Sequence, residues 1–423
     1  MPTAAPDLIN PDLINPGVED VLADAARHDS SAPGKDHTMI INMGPQHPST
    51  HGVLRLVLEI DGESVVSCAP DIGYLHTGIE KTCEAKFYQQ VVPLTDRIDY
   101  LCPMTNNWAY CMAVEKLLGL EIPERAEYLR LLLNELQRIQ SHLVWLGTHC
   151  LDIGALTMFL YCFREREDLL RIFENVSGQR MMTSYIRIGG LSMEPPLDFY
   201  KQVRDFLDRF PARIEEYEGL LQTNPIWMGR LKGVGYLSAA DAVALGVTGP
   251  PLRASGVDWD LRRDMPYSIY SKFDFKVPTS TVGDVWARYE VRMQELRESV
   301  KICRQALDGM PGEGRIVADA PKIILPDREQ MKTQMESLIH HFKIVTEGFG
   351  VPAGEVFQAI EAPRGEMGYY VVSDGTAKPY RVHMRNPGFA TLQALETMCK
   401  GRMLADVVAV IGSIDIVLGE IDR

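Results

Sequence analysis

The sequence predicts an α+β fold, a helical bundle core with small antiparallel sheets at its edges. Three observations carry this. Apolar residues recur at spacings of three and four through most of the chain after Gly73, two short stretches alternate apolar and polar residues beside turn residues, and no solenoid period is present. Residues 1–38 read as a flexible acidic arm. They hold a tandem copy, Pro6 to Asn10 then Pro11 to Asn15, and seven acids against two bases. Residues 39–423 read as a single unit. Val53 to Ile60 nearly alternates, meets Asp61-Gly62 and continues into Glu63 to Val66, which predicts a hairpin closed by a type I′ turn. Pro123 opens a long helix with acids in its first turn and Leu129, Leu132, Leu133, Leu136, Ile139 and Leu143 along one face. From Ile139 to Phe163 the only formal charge is Asp152, and the length would span a bilayer. Gly147, Gly154, His142, His149 and Asp152 predict instead two buried helical segments joined at a polar turn, the second covering about Phe163 to Phe173. Further helices are expected over Asp198–Leu221, over Asp284–Leu307 with a stripe from Val285 to Cys303, and over Asp327–Phe342. Residues 224–283, rich in Gly and Pro, read as loops with short strands. Gly368–Gly375 reads as a strand paired with Tyr380–Met384, and Leu392–Gly412 as a helical return.

With 423 residues, 46% apolar and 24% charged, the chain buries a large core, which excludes disordered and fibrous classes. Its 43 bases and 57 acids leave a net charge of −14, which argues against a partner bound through nucleic-acid phosphates. The eight cysteines, Cys68, Cys83, Cys102, Cys111, Cys150, Cys162, Cys303 and Cys399, form no C-x-x-C pair, so neither a disulfide framework nor a zinc or iron–sulfur ligand set is spelled. No dinucleotide or P-loop glycine motif is present. The acidic opening is unlike a signal or transit peptide, and the expected location is the cytoplasm.

Two polar clusters stand out. Gly44-Pro-Gln-His-Pro-Ser-Thr-His-Gly52 sets His47 and His51 four residues apart on a Gly- and Pro-bounded turn. Without a helix that spacing does not bring them onto one face, so a hydrogen-bonding loop outweighs a metal site. Leu75 to Lys86 alternates charge as a solvated helix would. By residue type alone Tyr100, after Arg97-Ile-Asp99, reads as a core tyrosine and Asp152 as a helix cap.

Gly44 to Arg55 and Leu75 to Lys86 closely resemble the D-type subunit of respiratory complex I, the NADH:quinone oxidoreductase. The second stretch fits the pattern L-H-[RT]-G-x-E-K-x-x-E-x-[KRQ] throughout. Asn134-Glu-Leu, Ser141-His-Leu, Leu151 to Leu156, Phe163 to Glu167, Tyr185 to Gly190, Leu252 to Gly256, Arg364-Gly-Glu and Asp422-Arg423 extend the resemblance to the last residue. That family is similar to the large subunit of nickel–iron hydrogenases, and Glu361-Ala-Pro-Arg-Gly365 is common to both, so a hydrogenase-like fold is implied. The hydrogenase nickel motifs R-x-C-G-x-C and D-P-C-x-x-C-x-x-H fall on Leu75–Glu80 and Asp415–Arg423. Thr77, Glu80, Val417 and Glu420 stand where thiolates would be needed, so no nickel site is expected.

The resemblance implies a set of roles. His51 and Tyr100 would hydrogen-bond the two carbonyl oxygens of a quinone, with Asp152 paired to His51 and favouring its imidazolium. No cofactor would be bound by this chain. Electrons would come from a [4Fe-4S] cluster in an adjacent subunit, with Arg97, Thr77 and Met182 near that cluster but not ligating it. Two of these depart from the family, which commonly has Arg at Thr77 and His at Met182. The lost positive charge would suit a low-potential quinone such as menaquinone, but the sequence does not decide between menaquinone and ubiquinone. Implied partners are the [4Fe-4S] subunit, a C-type neighbouring subunit and the membrane-arm subunit that admits quinone. The chain would lie peripherally on the cytoplasmic side of the bacterial cell membrane and be inactive alone. Two other readings compete: a complex fed by ferredoxin or deazaflavin, and a scaffold without a redox role.

Overall fold

The computed structural model describes residues 38–423. The predicted arm, with its tandem copy, lies outside the described residues except for Thr38. The fold is α+β, as expected, and begins with a three-stranded antiparallel sheet in the order β1 (Thr38–Met43), β2 (Arg55–Asp61), β3 (Ser64–Asp71). β1 was not expected: five of its six side chains are exposed or half-buried, so no alternation marks it. The β2–β3 hairpin forms with a different turn. A bulge after Glu59 makes Val66 an extra residue and pairs Asp61 with Ser64, so the turn centres on Gly62-Glu63. Only Gly62 there has a positive φ, +60°, whereas type I′ needs two such residues.

Five helices follow: α1 (Ile79–Glu84), α2 (Tyr88–Thr95), α3 (Pro103–Leu118), α4 (Glu124–Asp152) and α5 (Leu156–Ser177). α4 passes through Gly147 without a break. A Cβ there would lie 3.4 Å from Cys162 Cβ and 3.5 Å from Phe159 Cα, so the glycine serves close packing of α4 against α5. The chain turns only at residues 153–155, with Gly154 at φ +95°, and α5 therefore starts seven residues earlier than expected. Among the described residues no helix is long and apolar enough to cross a membrane.

A two-residue ladder, β4 (Ile186–Arg187) and β5 (Gly190–Leu191), leads to α6 (Phe199–Leu221). Residues 224–283 hold no strand. They form α7 (Pro225–Leu231), α8 (Ala239–Ala244), α9 (Pro250–Ala254) and α10 (Leu261–Asp264). Pro225 and Pro250 take first-turn positions, and the side chains of Asn224, Ser238 and Asp260 accept from backbone N–H groups of the helices they open. α11 (Val285–Gly309) is capped by Asp284, which accepts from Ala287 N at 2.7 Å, and its predicted stripe is buried. The next predicted helix is split at Gln334, whose φ of −123° and ψ of 117° are extended, into α12 (Arg328–Thr333) and α13 (Met335–Glu347).

The second three-stranded sheet is β6 (Gly354–Ala362), β7 (Gly365–Ser373), β8 (Arg381–Arg385), in that order and antiparallel. β6 was not anticipated. Its pairing with β7 runs to Ala362↔Gly365, leaving Pro363-Arg364 as a tight tip. The C-terminal return is four pieces, α14 (Pro387–Gln393), α15 (Leu395–Cys399), α16 (Leu404–Ile414) and α17 (Leu418–Asp422). Both sheets and the long helices share one hydrophobic core.

The core also contains charge. Arg138 bonds Glu135, Arg262 bonds Glu135 and Asp260, Arg253 bonds Glu295 and Glu361, and His142 meets Glu295 at 2.8 Å, all buried. Removing one member of such a buried set strands its partner at a cost of about 3–5 kcal/mol.

Candidate functional site

A cleft of about 520 Å³ opens between the start of α1, the end of α2 and α17, lined by Leu75, Thr77, Ile79, Thr82, Leu94, Arg97, Tyr100 and Gly419. The chain terminus holds one wall in place. Asp422 accepts from Gly73 N at 2.9 Å and Leu75 N at 2.6 Å, and its carbonyl meets His76 Nδ1 at 2.7 Å. Glu80 reaches the other way, to Arg381 at 2.9 Å and Met384 N at 2.9 Å. Gly419 makes the floor possible: a Cβ there would sit 2.5 Å from Ile98 O and 2.8 Å from Arg97 O. α17 can rest on the turn bearing Arg97 and Tyr100 only because that position has no side chain.

Behind Tyr100 lies a buried ion cluster built by the β6–β7 tip. Arg364 is ion-paired with Asp99, donates Nε–H to Asp415 O at 2.8 Å, and reaches the Asp415 carboxylate at 3.3 Å. Cys102 Sγ donates to Asp99 at 2.6 Å. Burial raises the Tyr100 phenol above its ordinary pKa, with Arg364 opposing in part, so it stays protonated at neutral pH.

His51 ends the 3-10 turn Pro48–Thr50 in the β1–β2 connection, in left-handed backbone at φ 54°. Burial first, and then Arg364, hold its pKa down to about 4. The imidazolium expected before proton transfer is therefore absent at neutral pH, and His51 is a neutral ring with one N–H. The pairing with Asp152 also differs from expectation. Asp152, the last residue of α4, makes no hydrogen bond or ion pair with His51 among the described residues. Its carboxyl is pushed up to about 6 by burial, with the Ser49 hydroxyl pulling the other way. Charge at His51 is held off by burial first and by Arg364 second, and the Ser49 hydroxyl bears on Asp152.

The structure thus brings Thr77, Arg97 and Tyr100 to one cleft, while neither His51 nor Asp152 is among its lining residues; the Arg364 charge bears on both Tyr100 and His51 without bonding either. Arg97 is exposed and donates to Pro93 O at 2.6 Å. Met182 is half-buried in the connection between α5 and β4. That connection is pinned beside Arg97, because Ser184 N and Oγ donate to Asp96 at 3.2 and 2.6 Å. Sequence reasoning missed the roles of Arg364, Asp99 and Asp415. The available signal was Pro363-Arg364 between two strand-like runs, and it needed β6 to be recognised.

Residues 152–423 match the family model described as respiratory-chain NADH dehydrogenase, 49 Kd subunit. Relatives match over nearly their whole length. The D-type subunit of NADH-quinone oxidoreductase, form 2, from Koribacter versatilis is 72% identical over 92% of this chain and 97% of its own, and form 1 from Solibacter usitatus is 65% identical over 93% and 96%. This chain belongs to the family of D-type subunits of NADH-quinone oxidoreductase. The member from Geotalea uraniireducens, 59% identical over 91% of this chain and 98% of its own, extends the same pattern. A D-type subunit is one member of a multisubunit oxidoreductase, so other subunits are its partners. Residues 77–156 also match the nickel-dependent hydrogenase model, which accounts for the shared scaffold. The donors do not fit nickel. Thr77 and Val417 offer no thiolate, Glu80 is spent on Arg381 and His383, and the buried Glu420 carboxyl is pushed up strongly by burial and Asp99.

Proposed function

We propose that this chain lines the site where quinone is reduced by electrons originating from NADH, in a complex that couples the reaction to proton translocation. One observation carries the reading: a cleft lined by Tyr100, whose phenol burial keeps protonated, and backed by the buried Arg364 cluster, whose charge also bears on His51. Quinone takes two electrons and two protons to become quinol. Tyr100 holds a donor O–H toward one carbonyl oxygen, and His51 holds an N–H for the other. The Arg364 charge stabilises negative charge that develops on the reduced ring oxygens. Asp152, with a carboxyl pKa of about 6, exchanges a proton near neutral pH. The electron-delivering [4Fe-4S] cluster belongs to the adjacent subunit, against the surface bearing Arg97, Thr77 and Met182. A C-type subunit and a membrane-arm subunit complete the surroundings, and the chain is held peripherally on the cytoplasmic face of the membrane.

The test is deletion and restoration of the gene in its own host. NADH-driven quinone reduction in membranes should vanish and return with the full chain, while the isolated chain turns over neither NADH, hydrogen nor quinone. Retained turnover in the deletion strain, or one nickel per chain in active protein, would contradict the reading.

Met182 sets a further expectation. A histidine beside the cluster gains a proton when the cluster takes an electron, because negative charge raises its pKa, and the potential then falls with pH. A thioether does not titrate. The cluster potential in this complex is expected to be nearly flat between about pH 6 and 8, around the ordinary histidine pKa. EPR redox titration of the native complex and of Met182→His checks it: a slope only in the variant agrees, and a steep slope in the native complex does not.

A further inference from the structure

The neutral state of His51 raises a question of supply. A neutral imidazole that gives up its N–H must take a proton on its other nitrogen, since an imidazolate is inaccessible at neutral pH. His51 Nε2 is buried and has no protein partner. Buried polar atoms in folded proteins are nearly always satisfied by protein or by ordered water, so an orphaned one marks a place for water.

The same holds for a cluster of neighbours. His149 on α4 is fully buried, and neither of its ring nitrogens has a protein partner. It lies between Trp145 and Trp227, with ring centroids at 5.7 and 5.3 Å, and against α16, where the Ala409 carbonyl is near enough to raise its pKa slightly but not in good hydrogen-bond geometry, and Gly412 packs on the ring. Arg288 and Arg292 face it from α11, and His51 is close enough for its charge to bear on it. Arg292 Nε and Nη2 and Asp415 Oδ2 are also buried without a protein partner. These groups supply both donors and acceptors, which water needs.

We propose that His149 is a proton-relaying positioning residue behind His51, joined to it by water held among Arg292, Asp415 and the two imidazoles. The relay takes a proton, supplied ultimately by bulk water through the ordered water, on one His149 nitrogen as the other releases one, and the released proton reaches His51 Nε2 as His51 gives its own N–H to the quinone oxygen. No net proton stays on His149. Burial and the two guanidinium groups hold its pKa near 3, so the ring works through its neutral tautomers and carries no resident charge.

The inference rests on the quinone reading, and the test separates the two. In the assembled complex, His149→Gln keeps a buried amide but removes the tautomer exchange. Gly412→Ala keeps the histidine but would place a Cβ 2.6 Å from its Cδ2, forcing the ring to turn. Each variant is expected to lower kcat for quinone by on the order of a hundredfold, the lower end of what positioned proton transfer contributes. KM for quinone and the rate from donor to an artificial acceptor upstream should be unchanged. The solvent deuterium effect should increase and the pH profile should shift. An unchanged kcat, pH profile and isotope effect in His149→Gln, with His51→Ala inactive, would overturn the relay alone. Loss of KM and of the upstream rate together with kcat would show a merely structural role and overturn it too. Full turnover in His51→Ala would overturn the quinone reading itself.

Discussion

Arg364→Met is expected to be the most damaging single substitution in this chain. The guanidinium is buried at a two-residue hairpin tip and serves Asp99 and Asp415 at once. Methionine fills most of the volume but leaves Asp99 buried without its paired counter-charge and Asp415 with only Arg292 nearby, a cost of about 3–5 kcal/mol. That is a large share of a total stability of about 5–15 kcal/mol. The thermal midpoint of the chain should drop sharply and assembly should fail. Arg364→Lys should fall between, because it restores the charge without the planar fork that sends Nη1 to Asp99 and Nε and Nη2 to Asp415. The sign with pH is distinctive. Protonation removes the uncompensated charge, so the methionine variant should recover relative to wild type as pH falls. Equal midpoints for Arg364→Met and wild type at neutral pH would mean the cluster holds nothing together.

For activity the largest effects belong to His51→Ala and Tyr100→Phe. Tyr100→Phe removes one O–H and little volume from the cleft, and its pKa is raised, so the lost group is a proton-holding donor at every working pH. His51→Ala removes the other donor and also a ring that burial, helped by Arg364, keeps uncharged. Quinone reduction should fall by about 10²–10⁴-fold in each, the usual contribution of a positioned acid or base. The complex should remain assembled and its upstream clusters should still be reduced by the donor, because neither side chain pairs with the Arg364 cluster's carboxylates. Stopped reduction of clusters upstream would point to a structural failure instead, and full quinone turnover in both variants would exclude the assignment.

The long helices α4, α6 and α11 were legible because their apolar stripes pack on a single core at helical spacing. β1 and β6 were not. β1 is an exposed edge whose residues lack an alternating burial requirement, and β6 lies in a stretch where Glu355, Gln358 and Glu361 interrupt the apolar residues. The helices of 224–283 are hidden in the sequence because glycine and proline signal loops, whereas Asn224-Pro225 and Gly249-Pro250 open short helices. The charges of α4 carried no sequence signal of their role: α4 is buried nearly all round, and Arg130, Glu135 and Arg138 are paired inside. At the site, His51 and Tyr100 were legible only through resemblance. Their connection through Arg364, separated from Tyr100 by most of the sequence, required the β6–β7 tip to be in place.

The central claim, that quinone is reduced in the cleft holding Tyr100, is tested most directly by photolabelling. An azido-quinone that supports turnover would be irradiated in the native assembled complex, and the labelled peptides of this chain located by mass spectrometry, with excess native quinone as competitor. Competable label is expected in residues 75–82, 94–100 and 417–420, the three segments that wall the cleft. Competable label on other subunits alone, with none on these segments, would contradict it.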